Sequence, residues 1–241
     1  MVTPMHPLAT TFRALGCAVH VSVRRVADLG LAGRLARAML ADVDEICSRF
    51  RNASDLTRVN ARPGRWVEVD PLLVAAVRVA VDAAERTGGL VNPLLGRPMV
   101  QLGYDRTFDL LTETVDDDTT LTPFPVALDP DAWRAIAFDD HALRIPEGTA
   151  LDLGATGKAW AADLIAGAFA RHLRGSAVIS VGGDLAIAAP DHEPPVRSRR
   201  KAERETRRDV VLVDGNALLD VERVLRRKDV RRAERNSGER V

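Results

Sequence analysis

The sequence predicts a globular protein that mixes helices with sheet, and three stretches carry that prediction. Val19, Val21 and Val23 alternate with His20, Ser22 and Arg24, the two-residue period of a strand with one covered face. From Asp28 the pattern turns helical, with Leu35, Met39, Val43 and Ile46 spaced to bury one stripe. Ala150 to Leu153 alternate again, Gly154 and Gly157 permit a tight turn, and from Lys158 a second helical stripe follows in Ala161, Ile165, Phe169 and Leu173. Val178 to Val181 then read as a strand, stopped by Gly182 and Gly183.

The remaining elements follow in chain order. The first helix should end near Cys47, and Ser48 to Asn60 is a polar segment with one aromatic, Phe50, whose simplest reading is core packing. Arg62-Pro-Gly-Arg65 turns into a short strand, Trp66 to Val69. Asp70-Pro71 is a helix start, with the acid as N-cap and proline at the first helical position. Leu73, Val77, Val81 and Ala84 give that helix its buried stripe, and Gly88-Gly89 caps it. Leu90 to Pro98 reads as a turn-rich connection. The acidic run Asp116, Asp117 and Asp118 reads as a solvated loop, because consecutive carboxylates rarely converge on one ion. Trp133 to Phe138 and Ala142 to Ile145, separated by Asp139-Asp140-His141, look like a hairpin.

Composition bounds the function classes. The chain has 241 residues, enough for one large domain or two small ones, and 46% of them are hydrophobic. Lys and Arg number 34, as do Asp and Glu, so the formal net charge is zero; this argues against a general nucleic-acid or membrane-surface binder. Cys17 and Cys47 are too few and too far apart for a thiolate metal site and do not suggest a disulfide scaffold. The five histidines show no metal-ligand spacing. Met1 to Leu15 lacks the pattern of a secretory signal, and no apolar stretch approaches the ~20 residues that cross a bilayer. The expected location is the cytoplasm, with no membrane span.

The stretch from Ala150 to Asp163 holds the chemistry. A strand, a glycine turn and a helix start leave backbone N–H groups where an anion can lie, and Lys158 adds a point charge at the same end. That is a phosphate site in outline. It is not a Walker P-loop, because Ala159 stands where Ser or Thr would follow the lysine, and it is not a G-x-G-x-x-G fingerprint. The alternative is an ordinary connection whose glycines serve close packing.

Five motifs in order resemble a known family. They are Phe12-Arg-Ala-Leu-Gly16, Ser48-Arg-Phe50 with Ser54 to Asn60, Thr87-Gly-Gly-Leu-Val-Asn-Pro93, Leu151 to Lys158 with Ala161-Ala-Asp163, and Val181-Gly-Gly-Asp184. Their order and spacing are similar to those of the ApbE-type FAD:protein FMN transferases, over about residues 10–190. The resemblance implies an α+β fold, an ApbE-like sheet related to the T-fold with packed helices, incomplete at the C-terminus. It implies enzymes that bind FAD and Mg²⁺ and transfer the FMN moiety to a threonine or serine hydroxyl of a target flavoprotein, releasing AMP. Position by position it puts Asp152 and Lys158 on FAD and the backbone carbonyl of Ala155 on the metal. Phe50 would flank the flavin or adenine rings, and Leu90, Val91 and Asn92 would line the same cleft. Leu15 stands where the family usually has methionine and would keep an apolar contact with the flavin; Cys17 stands where threonine is usual. Asp184 falls near the cleft without a role, and the general base is unassigned.

Beyond about residue 190 the pattern departs from the family. A His-Ile-Ile-Asp-Pro type segment and a later Asp-Ala-Leu-Ala-Thr type helix, whose Asp and Thr complete the metal site, have no counterpart. From Val196 to Val241 the chain is Arg-rich, and Lys and Arg outnumber Asp and Glu. Residues 191–241 therefore read as a charged tail, with an out-of-frame or replaced C-terminus expected; a solvated helical or disordered extension and a nucleic-acid or partner-binding arm are the alternatives. Two functional readings stay open: a flavin transferase, or a catalytically inactive FAD-binding or interaction protein that keeps the nucleotide cleft.

Overall fold

The computed structural model describes residues 8–104 and 129–189. The acidic run at 116–118 and the tail at 191–241 lie outside the described residues. The chain gathers into two compact units: the first takes the described residues of Met1–Phe12, Val19–Met39 and Ala162–Val241, the second those of Arg13–Ala18 and Leu40–Ala161.

The first unit carries a four-stranded sheet. Strands β1 (Leu8–Ala14), β2 (Cys17–Val23), β6 (Ala177–Val181) and β7 (Asp184–Ala188) lie side by side in that order. Pairing of β2 with β6 is antiparallel, with Val19 opposite Val181, Val21 opposite Ile179 and Val23 opposite Ala177. Val19, Val21, Ile179 and Val181 are wholly buried, so the valine alternation in the sequence marks the covered face. The β6–β7 hairpin turns on Gly182 and Gly183, both at positive φ, and Val181 and Asp184 pair across the turn. A two-residue turn with both central residues left-handed matches the strand twist, and glycine adopts it without strain.

Helix α1 (Val26–Cys47) begins in this unit, and its stripe of Leu35, Ala36 and Met39 is buried. Its approach to β1 is close: a Cβ at Gly33 would meet Thr10 Cγ2 at 3.4 Å, and the Arg37 guanidinium lies 3.9 Å above the Phe12 ring. The buried carboxylate of Asp28 accepts the Gly175 N–H at 3.0 Å, tying the start of α1 to the entry of β6. The later part of helix α5 (Gly157–His172) contributes Ile165 and Phe169, both wholly buried.

In the second unit, three short strands form a sheet in the order β3 (Val67–Glu68), β5 (Ala142–Arg144), β4 (Ala137–Phe138). Val67 and Phe138 both face Leu143, which is wholly buried. Helix α3 (Pro71–Arg86) buries Leu72, Leu73, Val74, Ala76 and Val77. Its start is capped as the sequence predicts: Asp70 Oδ1 accepts the Leu72 N–H at 2.9 Å, with Pro71 inside the first turn. Asp70 also donates its own N–H to Asp55 Oδ2 at 2.6 Å, joining α3 to helix α2 (Asp55–Asn60). Asp70→Ala is expected to lower stability by about 1 kcal/mol in a urea titration, and Asp70→Asn, which keeps a capping acceptor, by a few tenths.

Several local expectations change. The polar segment after α1 contains the helix α2, whose N-cap Ser54 accepts the Thr57 N–H. The Leu90–Pro98 connection runs into a six-residue helix, α4 (Gly96–Gln101). The predicted hairpin is confined to Ala137–Phe138 and Ala142–Arg144, because Ala132–Ala135 is a 3-10 turn that buries Trp133. Trp66 is half exposed and precedes β3. Phe50 is not a core residue: it is exposed.

Both cysteines are free thiols. Burial pushes the Cys47 thiol well above the usual range, with the carboxylates of Asp70 and Asp55 adding to the rise. Among the described residues no helix is long and apolar enough to cross a membrane.

Candidate functional site

The segment before α5 is extended, as its alternation suggests, yet it is not a strand of either sheet. It makes one isolated parallel bridge, Leu95 to Ala150. Several of its backbone groups are bonded by a loop and a side chain instead of a neighbouring strand. Gly96 N–H donates to Ala150 O at 2.9 Å and Asp152 N–H to Pro93 O at 2.9 Å. Asn60 adds two bonds with its side-chain amide: Oδ1 accepts the Leu151 N–H at 2.7 Å and Nδ2 donates to Leu151 O at 3.0 Å. Leu151 and Leu153 point inward and are buried, which leaves Asp152 on the opposite side.

Asp152 is fixed from both oxygens. Oδ1 accepts the Gly154 N–H at 2.7 Å, and Oδ2 forms an ion pair with Arg49 Nε at 2.8 Å. The two side chains are only 10% and 14% exposed, so this pair is screened far less than a surface one. Arg49 also donates through Nη1 to Tyr104 O at 2.7 Å. Its guanidinium lies 4.6 Å from the Phe50 ring centre and 5.2 Å from that of Tyr104, and the two rings meet edge to face at 5.5 Å. One arginine thus contacts both an exposed aromatic ring and a fixed carboxylate, an arrangement suited to a flat ring with polar substituents.

The turn from Leu153 to Gly157 leads into α5. The Thr156 and Gly157 N–H groups both donate to Leu153 O, and helical bonding proper starts with Trp160 N–H to Thr156 O. Among the described residues the Ala155 carbonyl accepts no backbone hydrogen bond, and Ala155 is exposed. Lys158 lies in the first turn of α5 and forms no ion pair among the described residues, so its charge is available at the helix start.

The other residues singled out by sequence fall as follows. Leu90 is 89% exposed, while Val91 and Asn92 are half-buried. Asn92 shapes its own loop, accepting the Leu94 N–H at 2.9 Å and donating to Pro130 O at 3.3 Å. That loop reaches the central segment through the Pro93 and Gly96 bonds to Asp152 and Ala150. Leu15 sits in the β1–β2 turn at φ 50, an unusual left-handed position for a branched side chain, followed by Gly16 at φ 69. Asp184 belongs to the first unit, at the start of β7.

Sequence reasoning missed Arg49, Tyr104 and the clamp by Asn60. Arg49 and Asn60 lie inside quoted motifs, but their partners are about a hundred residues away in sequence. The signal was the arginine directly before an aromatic at Ser48-Arg-Phe50. The residues present fit FAD: a fixed carboxylate at Asp152, an exposed Phe50 ring with the half-buried Tyr104 against it, and Lys158 in the first turn of α5. Among the described residues no group of three or more His, Cys, Asp or Glu converges, and the carbonyl that the resemblance assigns to a metal, that of Ala155, is on an exposed residue.

Comparison with known proteins points one way. The sequence pattern of the ApbE family matches residues 15–219. The chain is 29% identical over 173 residues to the FAD:protein FMN transferase of Treponema pallidum, covering 70% of this chain and 48% of that protein, about half its length. Its fold is similar to the crystal structure of the ApbE protein of Thermotoga maritima, with TM-score 0.59, 21% identity, and 76% of this chain and 59% of that one covered. The apo form of the flavinyl transferase ApbE from Pseudomonas stutzeri gives TM-score 0.59 at 19% identity, with 76% and 58% covered. The mixed helix and sheet architecture is that of these structures, and the chain belongs to the ApbE family.

Proposed function

We propose that this chain is a flavin transferase that takes FAD as substrate and passes its FMN moiety to a threonine or serine hydroxyl of a target flavoprotein, with release of AMP. The observation that carries the reading is the Asp152 carboxylate, fixed by Arg49 and Gly154 beside the exposed Phe50 ring. In this reading Asp152 orients a polar group of the dinucleotide, Phe50 stacks on one of its ring systems, and Lys158 offsets phosphate charge at the start of α5. Leu15, Leu90, Val91 and Asn92 line the cleft.

The acceptor hydroxyl oxygen attacks the flavin-side phosphorus, the bond to the bridging oxygen breaks, and AMP departs with the electron pair. The hydroxyl proton passes to a base or to water. Such a displacement needs positioned cations more than covalent chemistry by the protein. Mg²⁺ would supply further charge neutralisation when bound. It takes six oxygen ligands and keeps several waters, so one backbone carbonyl, that of Ala155, with phosphate oxygens and water suits it.

Incubating the full chain with FAD, Mg²⁺ and a flavoprotein bearing an accessible Thr or Ser tests the reading. The target should gain the mass of an FMN moiety, with one AMP released per modification. FAD binding with neither product would leave a flavin-binding protein without transferase activity.

A further inference from the structure

The place of Tyr104 is set by its backbone. Helix α4 ends at Gln101 with Leu102 as its C-cap, and Gly103 follows at φ 85, the left-handed conformation that glycine adopts without strain. The Gly103 N–H donates to Val100 O at 3.0 Å and the Tyr104 N–H to Met99 O at 2.9 Å, the paired bonds of a Schellman ending. The Tyr104 carbonyl in turn accepts from Arg49 Nη1 at 2.7 Å. Both main-chain polar groups of Tyr104 are thus held, which fixes where its half-buried ring begins.

That ring meets Phe50 edge to face, with centres 5.5 Å apart and planes at 79°. The Arg49 guanidinium contacts both rings, 4.6 Å from the Phe50 centre and 5.2 Å from that of Tyr104, and is itself anchored by the ion pair to Asp152. An exposed aromatic side chain ordinarily samples several rotamers, and ordering it on binding costs affinity. Here two neighbours restrain Phe50 before any ligand arrives, while 36% of the residue stays exposed. Arg49, nine-tenths buried, braces the ring from within.

We propose that Tyr104 is a positioning residue of the flavin site: its ring, with the Arg49 guanidinium, fixes Phe50 in the orientation on which a ring of FAD stacks. This rests on the flavin-transferase reading. Arg49 variants do not isolate the effect, because they also release Asp152. Tyr104 variants do: the acceptor for Arg49 is the main-chain oxygen, which survives any replacement of the side chain.

The test is an FAD titration of the full chain followed by flavin fluorescence. Phe50→Ala, Tyr104→Phe, Tyr104→Leu and the double variant Phe50→Ala with Tyr104→Leu are compared with the unmodified protein after circular dichroism has verified folding. Tyr104→Leu keeps apolar volume but has no ring; it should weaken FAD binding by about threefold to tenfold, the worth of an aromatic pair, and by no more than Phe50→Ala does. Tyr104→Phe keeps the ring and should bind FAD within about twofold of the unmodified protein. In the Phe50→Ala background Tyr104→Leu should cost nothing further. A purely structural role would instead weaken binding in both backgrounds. Affinity of Tyr104→Leu equal to that of the unmodified protein, or the same loss with and without Phe50, would overturn the inference; the flavin reading then stands if Phe50→Ala alone weakens binding. No saturable FAD binding by the unmodified protein would overturn that reading, and this inference with it. Should Tyr104→Leu fail to fold, Tyr104→Gln, which also lacks a ring, decides by the same comparisons.

Discussion

Gly96→Ala is expected to destabilise the second unit by about 3 kcal/mol, the upper part of the range for forced overpacking. A Cβ at this position would lie 2.6 Å from Leu151 O and 2.8 Å from Ala150 O. Both are backbone atoms, so no flexible side chain can move aside. Replacing glycine in a helix favours folding by at most about 1 kcal/mol, and a position in the first turn of α4 gains less, so the clash wins. Relief requires α4 and the 150–152 segment to separate, breaking the Gly96 to Ala150 hydrogen bond and shifting Asp152 relative to Arg49. A urea titration should show a lower midpoint at similar slope, together with weakened FAD binding. A midpoint equal to that of the unmodified protein would show that the two segments do not approach this closely.

Asn60→Ala should have a comparable effect by a different route. Leu151 is wholly buried, and its N–H and C=O are both satisfied by the Asn60 amide. Truncation leaves two buried backbone groups unpaired at about 1–3 kcal/mol each, so a loss of roughly 2–4 kcal/mol is expected. Hydrogen exchange at the Leu151 amide reads this directly. Protection there should fall far more than at Val21 or Ile179, which lie in the sheet of the first unit. Equal protection in Asn60→Ala would mean that Leu151 does not depend on the clamp.

How much the sequence revealed follows from the range of the interactions involved. The stripes of α1, α3 and α5 were legible because each helix is long enough to repeat its buried face several times. Helices α2 and α4 have six residues each, less than two turns, and no periodicity can be read from so few. Strand β1 escaped notice because its inward residues, Leu8, Thr10, Phe12 and Ala14, are only half covered and include a polar residue. The alternation at 150–153 did report one buried face. It could not report that the hydrogen-bond partners would be an asparagine side chain and a loop instead of a neighbouring strand.

The same limit applies to the site. Asp152 stood out by its place in a glycine-rich motif, and the structure gives it fixed partners on both oxygens. Arg49 did not stand out, because an arginine in a polar segment is ordinarily a solvated surface residue. Its role emerges only when the fold brings Tyr104 and Asp152 against it. Phe50 lost its core reading for the same reason: an isolated aromatic says nothing about which side of the fold it ends on.

The proposed function places FAD against Asp152 and Phe50. Its most direct test is an FAD titration of the purified full chain, with and without Mg²⁺, followed by flavin fluorescence beside Phe50→Ala and Asp152→Asn. Saturable binding that weakens tenfold or more in Asp152→Asn and severalfold in Phe50→Ala is the predicted result. No saturable change in the unmodified protein, or equal binding in all three, would contradict it.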